Sequence, residues 1–377
     1  MNLFLLITLF KGLGWSFDPV SVSIQSYALI DHMKRIEQLP PVMEGDRIRE
    51  WILADRLPEG KLYTKSGDFS QEDMERLVEN MNLQEIKPLH PLTYGWTLRR
   101  TNMRMYPSAE TIHKGNPKID YNQYTLLEPF TPLAILHTSK DGEWLYVQSP
   151  FMRGWVNKRD VHTSTIEQLL KIMQMPFLVV ANKGVTLNGI YFGLGSKVRY
   201  LEKKDGEYKV LLPDGSHMLL EAKEGLVEGY LKFEEERVKS ILESLLGTPY
   251  DWGGKEGRWD CSSLVQSLYA VFGAELPRNS AQQAKIGKAV GNSFSSYQEF
   301  KDFLRGLPPF RTLLFMKGHV MIYGGIEGDD VVIYHSVHRM TKEDGSKWLV
   351  ESVAKNYLER DGLRNLYKAI VSVNLLD

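Results

Sequence analysis

The one cysteine of this 377-residue chain lies in the segment RWDCSSLVQSLYAVFG, residues 258–273. The segment carries apolar side chains on one face of a helix, at Leu264, Val265, Leu268, Tyr269 and Phe272. Gly273 suits the end of such a helix, and Asp260 is of a type favoured just before a helix begins. The pattern predicts a helix that starts at Cys261, with Asp260 as its N-cap.

The position of Cys261 at a helix start matters for its chemistry. Free backbone amides and the positive end of the helix stabilise a thiolate there, so we expect a pKa below the ordinary value near ~8.5. Cys261 lies three positions before Leu264 and should therefore point to the buried face. A single cysteine can also be a small buried hydrophobic residue without reactivity. Its surroundings decide between the two interpretations.

A nucleophilic thiol needs a base that takes its proton and later gives it to the leaving group. Only three of the nine histidines follow Cys261, namely His319, His335 and His338. His319 opens the predicted strand HVMIY, and His335 ends the next predicted strand. Histidines on adjacent strands can meet, and the second can orient the first. A histidine at a strand end is also commonly just a hydrogen-bonded structural residue.

Six short blocks of the last 145 residues or so (233–377) occur in a specific order. They are Tyr-x-Trp-Gly-Gly at 250–254, Asp-Cys-Ser-Ser-Leu-Val at 260–265, Leu-Pro-Arg-Asn-Ser-Ala-Gln-Gln at 276–283, Leu-Leu-Phe at 313–315, His-Val-x-Ile-Tyr at 319–323 and Tyr-His-Ser at 334–336. Together they resemble the NlpC-type cysteine peptidases, which are papain-like enzymes that cut the stem peptides of bacterial peptidoglycan. The resemblance implies that Cys261 is the nucleophile, His319 the general base and His335 the residue that orients it.

The same resemblance implies roles for four further residues. Tyr250 falls where the family has a tyrosine beside the oxyanion site, and Asp260, Ser262 and Ser280 fall where family members hold the peptide. Each has a plainer alternative: Tyr250 as a core aromatic, Asp260 as a helix cap and Ser280 as a loop hydroxyl. The sequence shows no CxxC or HExxH spacing, so we expect no metal and no other cofactor.

The chain before residue 233 is predicted to form a helical arm followed by two small β-barrels. In residues 95–164, two β runs flank an Asp-Gly turn at 141–142 and a Gly-Trp-Val strand follows, which predicts a hairpin and resembles a bacterial SH3-like barrel. Residues 165–232 repeat this order around the Asp-Gly turn at 205–206. Residues 17–94 carry helical signals broken by prolines. Helices first and an antiparallel sheet afterwards make the last domain, 233–377, α+β, so the chain is predicted to be a multidomain α+β protein.

The first 16 residues and the overall charge bear on location and partners. An apolar run at 3–10 followed by small residues is typical of a signal peptide, with a short buried strand or helix as the alternative. No other stretch is long and apolar enough for a membrane span, so we expect an exported protein, periplasmic or extracellular, without one. Lys and Arg number 46 against 47 Asp and Glu, which argues against nucleic-acid binding. We expect a monomer that acts on peptidoglycan or muropeptides.

The function that the resemblance implies is hydrolysis of the bond between γ-D-glutamyl and a diamino acid, diaminopimelate or lysine. Relatives with SH3-like barrels ahead of the peptidase often require a free N-terminal L-Ala, because the barrel closes one side of the cleft. Asp120 and Glu128 are candidates, on position alone, for binding its amine. A wall-binding protein without catalysis, or an amidase or acyltransferase on the same fold, are the alternatives.

Overall fold

A computed structural model describes residues 35–221 and 225–376 of the chain. The predicted signal peptide, residues 1–16, and residues 17–34 of the predicted arm lie outside this part. No helix within the described residues has the length and apolar character needed to cross a membrane.

The N-terminal segment, residues 35–92, combines helices with short strands. Its elements are β1 (Val42–Glu44), α1 (Gly45–Ala54), β2 (Tyr63–Thr64), β3 (Gly67–Asp68), α2 (Gln71–Asn80) and β4 (Leu89–Pro91). Ser70 caps α2 through a reciprocal pair of hydrogen bonds with Asp73. Pro41 and Pro88 stand directly before β1 and β4, which pair with each other. Helices α1 and α2 are therefore accompanied by short paired strands at the prolines, because proline favours extended backbone and breaks helices, and the description of this segment as a helical arm stays a prediction.

The first β module, residues 93–164, is a seven-stranded antiparallel sheet in the order β11-β5-β8-β9-β10-β6-β7. Its strands are β5 (Thr93–Thr97), β6 (Thr101–Arg104), β7 (Gln123–Leu127), β8 (Pro132–Thr138), β9 (Trp144–Gln148), β10 (Arg153–Asn157) and β11 (Val161–Ser164). Ile135 of β8 lies opposite Val147 of β9, which confirms the predicted hairpin. Helix α3 (Ile166–Met173) follows the module.

The second β module, residues 177–221 and 225–228, is a five-stranded antiparallel sheet, in the order β17-β16-β15-β12-β18, with a separate hairpin of β13 and β14. Its strands are β12 (Phe177–Val180), β13 (Gly184–Leu187), β14 (Ile190–Gly193), β15 (Lys197–Lys204), β16 (Glu207–Leu211), β17 (His217–Glu221) and β18 (Leu226–Glu228). Asp205 and Gly206 both have positive φ, at 48° and 85°, as a type I′ hairpin turn requires. The predicted strand-turn-strand unit is confirmed, and its description as an SH3-like barrel stays a prediction.

The C-terminal domain, from residue 233, has the predicted α+β architecture. Its elements are α4 (Glu235–Leu245), α5 (Cys261–Ala270), α6 (Ser280–Gln283), β19 (Lys288–Gly291), α7 (Tyr297–Arg305), β20 (Thr312–Met316), β21 (His319–Glu327), β22 (Asp330–Thr341), β23 (Lys347–Tyr357) and β24 (Ile370–Leu375). The sheet runs in the order β19-β24-β20-β21-β22-β23, and α5 packs on β21 and β22. His335 lies inside β22 and does not end it as predicted, because the pairing of β22 with β23 extends the strand to Thr341.

Two hydrophobic cores join these parts into one body. One core combines Ile48 of α1 with Trp96 of the first β module and Val198 of the second. The other combines Val179 of the second β module with Leu264 of α5 and the inner strands of the C-terminal sheet. The second β module therefore contributes to both cores.

Candidate active site

Helix α5 begins as the sequence predicts. The Asp260 carboxylate accepts a hydrogen bond from the backbone N–H of Ser263 at 2.8 Å, and the Ser263 hydroxyl accepts one from the N–H of Asp260 at 2.9 Å. This reciprocal cap places Cys261 in the first turn. Cys261 is 8% exposed, and its Sγ lies 4.0 Å from the carbonyl oxygen of Gly318. The thiol therefore sits between the start of α5 and the start of β21, the strand whose first residue is His319.

The two predicted histidines meet. Nε2 of His319 lies 2.8 Å from Nδ1 of His335, and Nε2 of His335 lies 2.9 Å from Oδ1 of Asn356. The Asn356 amide donates in turn to the Asp361 carboxylate at 2.8 Å. A row of polar groups thus leads from His319 into the protein, from β21 across β22 to β23.

The hydrogen bond between Asn356 and Asp361 determines which ring nitrogens of the two histidines carry a hydrogen. A carboxylate only accepts, so Asn356 must use its amide hydrogen toward Asp361 and its oxygen toward His335. His335 then carries its hydrogen on Nε2 and accepts on Nδ1 from Nε2–H of His319. The remaining nitrogen of His319, Nδ1, keeps a lone pair. That is the tautomer a general base requires.

Burial favours the neutral forms of the Cys261 thiol and of both histidines. It is the largest influence on the pKa of the Cys261 thiol, which it raises to about 12 with the help of the Asp260 carboxylate. It also lowers the pKa of His319 to about 3 and that of His335 to about 4. The prediction of a lowered thiol pKa is wrong. The Ser262 amide at the helix start acts in the predicted direction, but the thiolate's loss of hydration outweighs it.

Tyr250 lies beside the same thiol. Its backbone pairs with Trp259 and donates to the carbonyl oxygen of Glu351 at 2.8 Å. Burial and the nearby Asp260 and Cys261 raise the pKa of its phenol. The hydroxyl is thus held protonated, as a hydrogen-bond donor, next to the thiol.

Asp260 and Ser262 are held by a residue that the sequence did not single out, Arg278. Its guanidinium forms two contacts with the Asp260 carboxylate, at 2.6 and 3.1 Å, and one with the Ser262 hydroxyl, at 2.9 Å. Its Nε donates to the Thr125 hydroxyl of the first β module at 2.7 Å. Arg278 belongs to the Leu-Pro-Arg-Asn-Ser block, and this block was the feature of the sequence from which Arg278 could have been identified as a site residue. Ser280 from the same block is half-buried and opens α6.

The first β module forms a wall next to the site. Lys118 reaches Glu351 of β23 at 3.0 Å, and the ring of Tyr121 lies 6.1 Å from that of Trp252 in an edge-on contact. Between them, Asp120 contacts Lys255 at 2.6 Å. The wall therefore reaches the Tyr-x-Trp-Gly-Gly loop and the strand behind Tyr250.

The two carboxylates considered for binding an amine are already paired. Asp120 is 1% exposed and also contacts Arg104 at 3.0 Å. Glu128 accepts from Nε of Arg100 at 2.9 Å and from the backbone N–H of Gly193 at 2.9 Å. Across residues 35–221 and 225–376, the structure holds no group of three His, Cys, Asp or Glu residues placed to bind a metal ion.

Comparisons with known proteins bear on this site and fold. The model of the NlpC/P60 family matches residues 247–364, and that of an SH3 domain of the SH3b1 type matches residues 106–157. The γ-D-glutamyl-L-lysine dipeptidyl-peptidase of Bacillus subtilis is 25% identical over 172 residues, 41% of this chain and 56% of that protein. Its Bacillus cereus counterpart is 23% identical over 174 residues, 40% and 51% of the two chains. The chain thus spans about half the length of the curated relatives it matches.

A solved structure shows the same fold over nearly the whole chain. The NlpC/P60 endopeptidase from Photobacterium damselae subsp. piscicida superposes with a TM-score of 0.70, at 18% identity, over 95% of this chain and 93% of that one. Residues 247–364 therefore form a domain of the NlpC/P60 family, and residues 106–157 belong to an SH3 domain of the SH3b1 type.

Proposed function

We propose that this protein is an exported cysteine peptidase of the bacterial cell wall. Its reaction is hydrolysis of the bond between γ-D-glutamyl and a diamino acid in peptidoglycan stem peptides. The observation that carries the proposal is the hydrogen-bonded row of His319, His335 and Asn356, which begins one residue after Gly318, whose carbonyl oxygen lies 4.0 Å from Cys261 Sγ. The matching family and the names of the relatives support the substrate class.

The neutral state of the site determines the order of proton transfers. As Cys261 Sγ attacks the γ-carbonyl carbon, Nδ1 of His319 takes the thiol proton. His319 then gives this proton to the amine of the diamino acid as the C–N bond breaks. Water attacks the resulting thioester with His319 again as the base, which releases the γ-carboxylate and restores the thiol. His335, fixed by Asn356, keeps the ring in place throughout.

Tyr250 is proposed to stabilise the oxyanion. Its phenol is held protonated beside the thiol, so it can donate to the charge that develops on the carbonyl oxygen. The backbone N–H of Cys261 at the start of α5 is the second donor. Donors fixed in a site of low polarity stabilise such a charge more than water does.

The predicted peptide-binding residues divide into two groups. The Asp260 carboxylate accepts hydrogen bonds from Gly253, Ser262 and Ser263 and two more from Arg278. We therefore assign Asp260, together with Ser262, to positioning α5 and Arg278. Ser280 remains our candidate for direct contact with the peptide.

A requirement for a free N-terminal L-Ala is proposed on the basis of the wall formed by the first β module. Its contacts through Lys118 and Tyr121 close the peptidase domain on that side. A wall next to the site leaves little room for a glycan strand. It therefore favours a stem peptide whose N-terminus is free over one that is still linked to the glycan. Neither Asp120 nor Glu128 is proposed to bind the amine, because each is already in an ion pair.

Replacing Cys261 with alanine tests the proposal. With L-Ala-γ-D-Glu-diaminopimelate as substrate, Cys261→Ala should lower kcat/KM by at least about a thousandfold, because no nucleophile remains. Release of diaminopimelate, followed by mass spectrometry, is the measurement. Ser244→Ala, in helix α4 of the same domain, is the matched control and should keep full activity.

The same assay separates the alternatives. Undiminished release by Cys261→Ala would rule out the cysteine mechanism, and cleavage at another bond would indicate an amidase. Substrate with an acetylated L-Ala should be cut poorly, and equal rates would remove the requirement for a free amine. A wall-binding protein without catalysis would release nothing in either form while still sedimenting with purified sacculi.

A further inference from the structure

A cavity of about 230 Å³ lies where the two β modules meet the C-terminal domain. Helix α5 contributes Ser263, Gln266, Ser267 and Ala270 to its lining. At 3.6 residues per turn these positions lie about half a turn around the helix from Cys261. The cavity is therefore on the opposite side of α5 from the thiol and is separate from the candidate active site.

The lining of this cavity carries more basic than acidic side chains. It includes Arg100, Lys197, Arg199 and Arg258 together with Glu128 and Glu275. Arg100 is paired with Glu128. Within the part of the chain that the structure describes, no carboxylate lies within ion-pair distance of the other three. Lys197 instead donates to the Tyr230 hydroxyl at 2.6 Å. An excess of positive charge thus faces the cavity.

Arg199 is the residue of this lining that most strongly indicates an anion site, because it is buried. It is 7% exposed, and burial lowers its pKa to about 10, which leaves it charged at neutral pH. One of its amino groups donates to the carbonyl oxygen of Met175 at 2.9 Å, and its guanidinium lies over the ring of Phe177. Its Nε is fully buried and has no hydrogen-bond partner among the described residues. A buried charge is costly unless an opposite charge compensates it.

The rest of the lining indicates what kind of anion fits. Apolar side chains contribute much of it, among them Phe130, Phe151, Met173, Leu194 and Leu276. A cavity of this size is smaller than the roughly 300–1,000 Å³ typical of sites for drug-sized ligands. An apolar lining also disfavours a strongly hydrated ion such as free phosphate.

We propose that this cavity binds a small organic carboxylate, with the carboxylate beside Arg199 and the apolar part of the ligand against the aromatic and aliphatic lining. Lys197 and Arg258 add to the attraction. A guanidinium suits this role because its planar N–H groups match a carboxylate. The inference does not depend on the proposed peptidase activity, since Cys261 lies on the other side of α5.

Calorimetric titration of the full chain with benzoate tests the inference, with benzamide as the uncharged probe of the same shape and inorganic phosphate as the bare anion. Benzoate should bind at one saturable site and raise Tm, while benzamide and phosphate should bind at least about tenfold more weakly. Arg199→Met should weaken benzoate binding at least about tenfold. Without ligand its Tm should be equal to or above that of the parent, because the uncompensated buried charge is gone.

Two further variants test the same inference if Arg199→Met does not fold. Ser267→Met fills the cavity from α5 without altering a charge, and it should also abolish benzoate binding. Arg237→Met removes an arginine from the exposed pair with Glu234 and should bind benzoate like the parent. Benzoate binding that survives in Ser267→Met, or that benzamide or phosphate matches, would overturn the inference.

Discussion

The two β modules are attached to the peptidase domain in different ways. The first β module is attached by polar contacts: Asp120 to Lys255, Thr125 to Arg278 and Arg100 to the carbonyl oxygen of Gly257. The second is attached by apolar packing, in which Phe177, Val179 and Leu194 share a core with helices α4 and α5. Directional contacts fix relative positions to a fraction of an ångström, whereas apolar burial mainly contributes free energy.

This difference implies a division of tasks. The contacts of the first β module end on or next to the Tyr-x-Trp-Gly-Gly loop and on Arg278, which holds Asp260, the N-cap of α5. Changes there should reach the geometry of the site. Changes in the packing of the second β module should lower stability and leave the folded site intact. Three substitutions test this difference between the two modules.

The largest effect is expected for Asp120→Asn. The change keeps the size of the side chain but leaves the buried Arg104 and the half-buried Lys255 without a negative partner. Breaking such a buried group of charges costs about 3–5 kcal/mol, which urea unfolding at neutral pH would measure. Asp214→Asn, in an exposed turn of the second β module, is the matched control and should change the free energy by less than about 0.5 kcal/mol. Asp120→Asn should also lower kcat/KM measured well below Tm, because the contact reaches the site, and a parental kcat/KM would contradict the division of tasks.

An intermediate effect is expected for Val179→Ala in the second β module. The side chain is fully buried between the module and α5, and losing two methyl groups costs about 2 kcal/mol. Urea unfolding gives the stability, and peptidase assays well below Tm give kcat/KM, which should stay at the parental value. A fall in kcat/KM of more than about tenfold would contradict the division of tasks.

The smallest effect is expected for Lys118→Met. Its pair with Glu351 is largely exposed, so its loss should cost less than about 1 kcal/mol and the difference should vanish in about 0.5 M salt. The measurement is urea unfolding at low and high salt, together with KM for the stem peptide. Lys140→Met removes a similar exposed pair, with Glu79. A shift in KM for Lys118→Met alone would indicate that the wall contacts substrate, and equal shifts would argue against it.

The sequence predicted the parts of the site that depend on local pattern. The start of α5 and the Asp260 cap follow from residues within one helical turn, and the pairing of His319 with His335 follows from two consecutive strands. The hairpin of β15 and β16 was predictable because an Asp-Gly pair can adopt two positive φ angles.

Other parts depend on contacts distant in sequence and were missed. Asn356 lies on β23, and only the register of β22 and β23 brings it to His335. Arg278 reaches Asp260 from the loop after α5, whereas Arg258 is closer in sequence and is exposed. The direction of the Cys261 pKa shift was missed for a related reason, because burial is a property of the assembled fold and not of the helix start.

The burial of Cys261 also bears on how long the protein survives. Peroxides attack the thiolate much faster than the thiol, and a thiol with a pKa raised to about 12 is almost entirely protonated at neutral pH. In an oxidising environment, Cys261 should therefore react with hydrogen peroxide more slowly than free cysteine does. In the proposed mechanism the sulfur is most reactive while His319 takes its proton, so binding of substrate would determine when Cys261 can be oxidised.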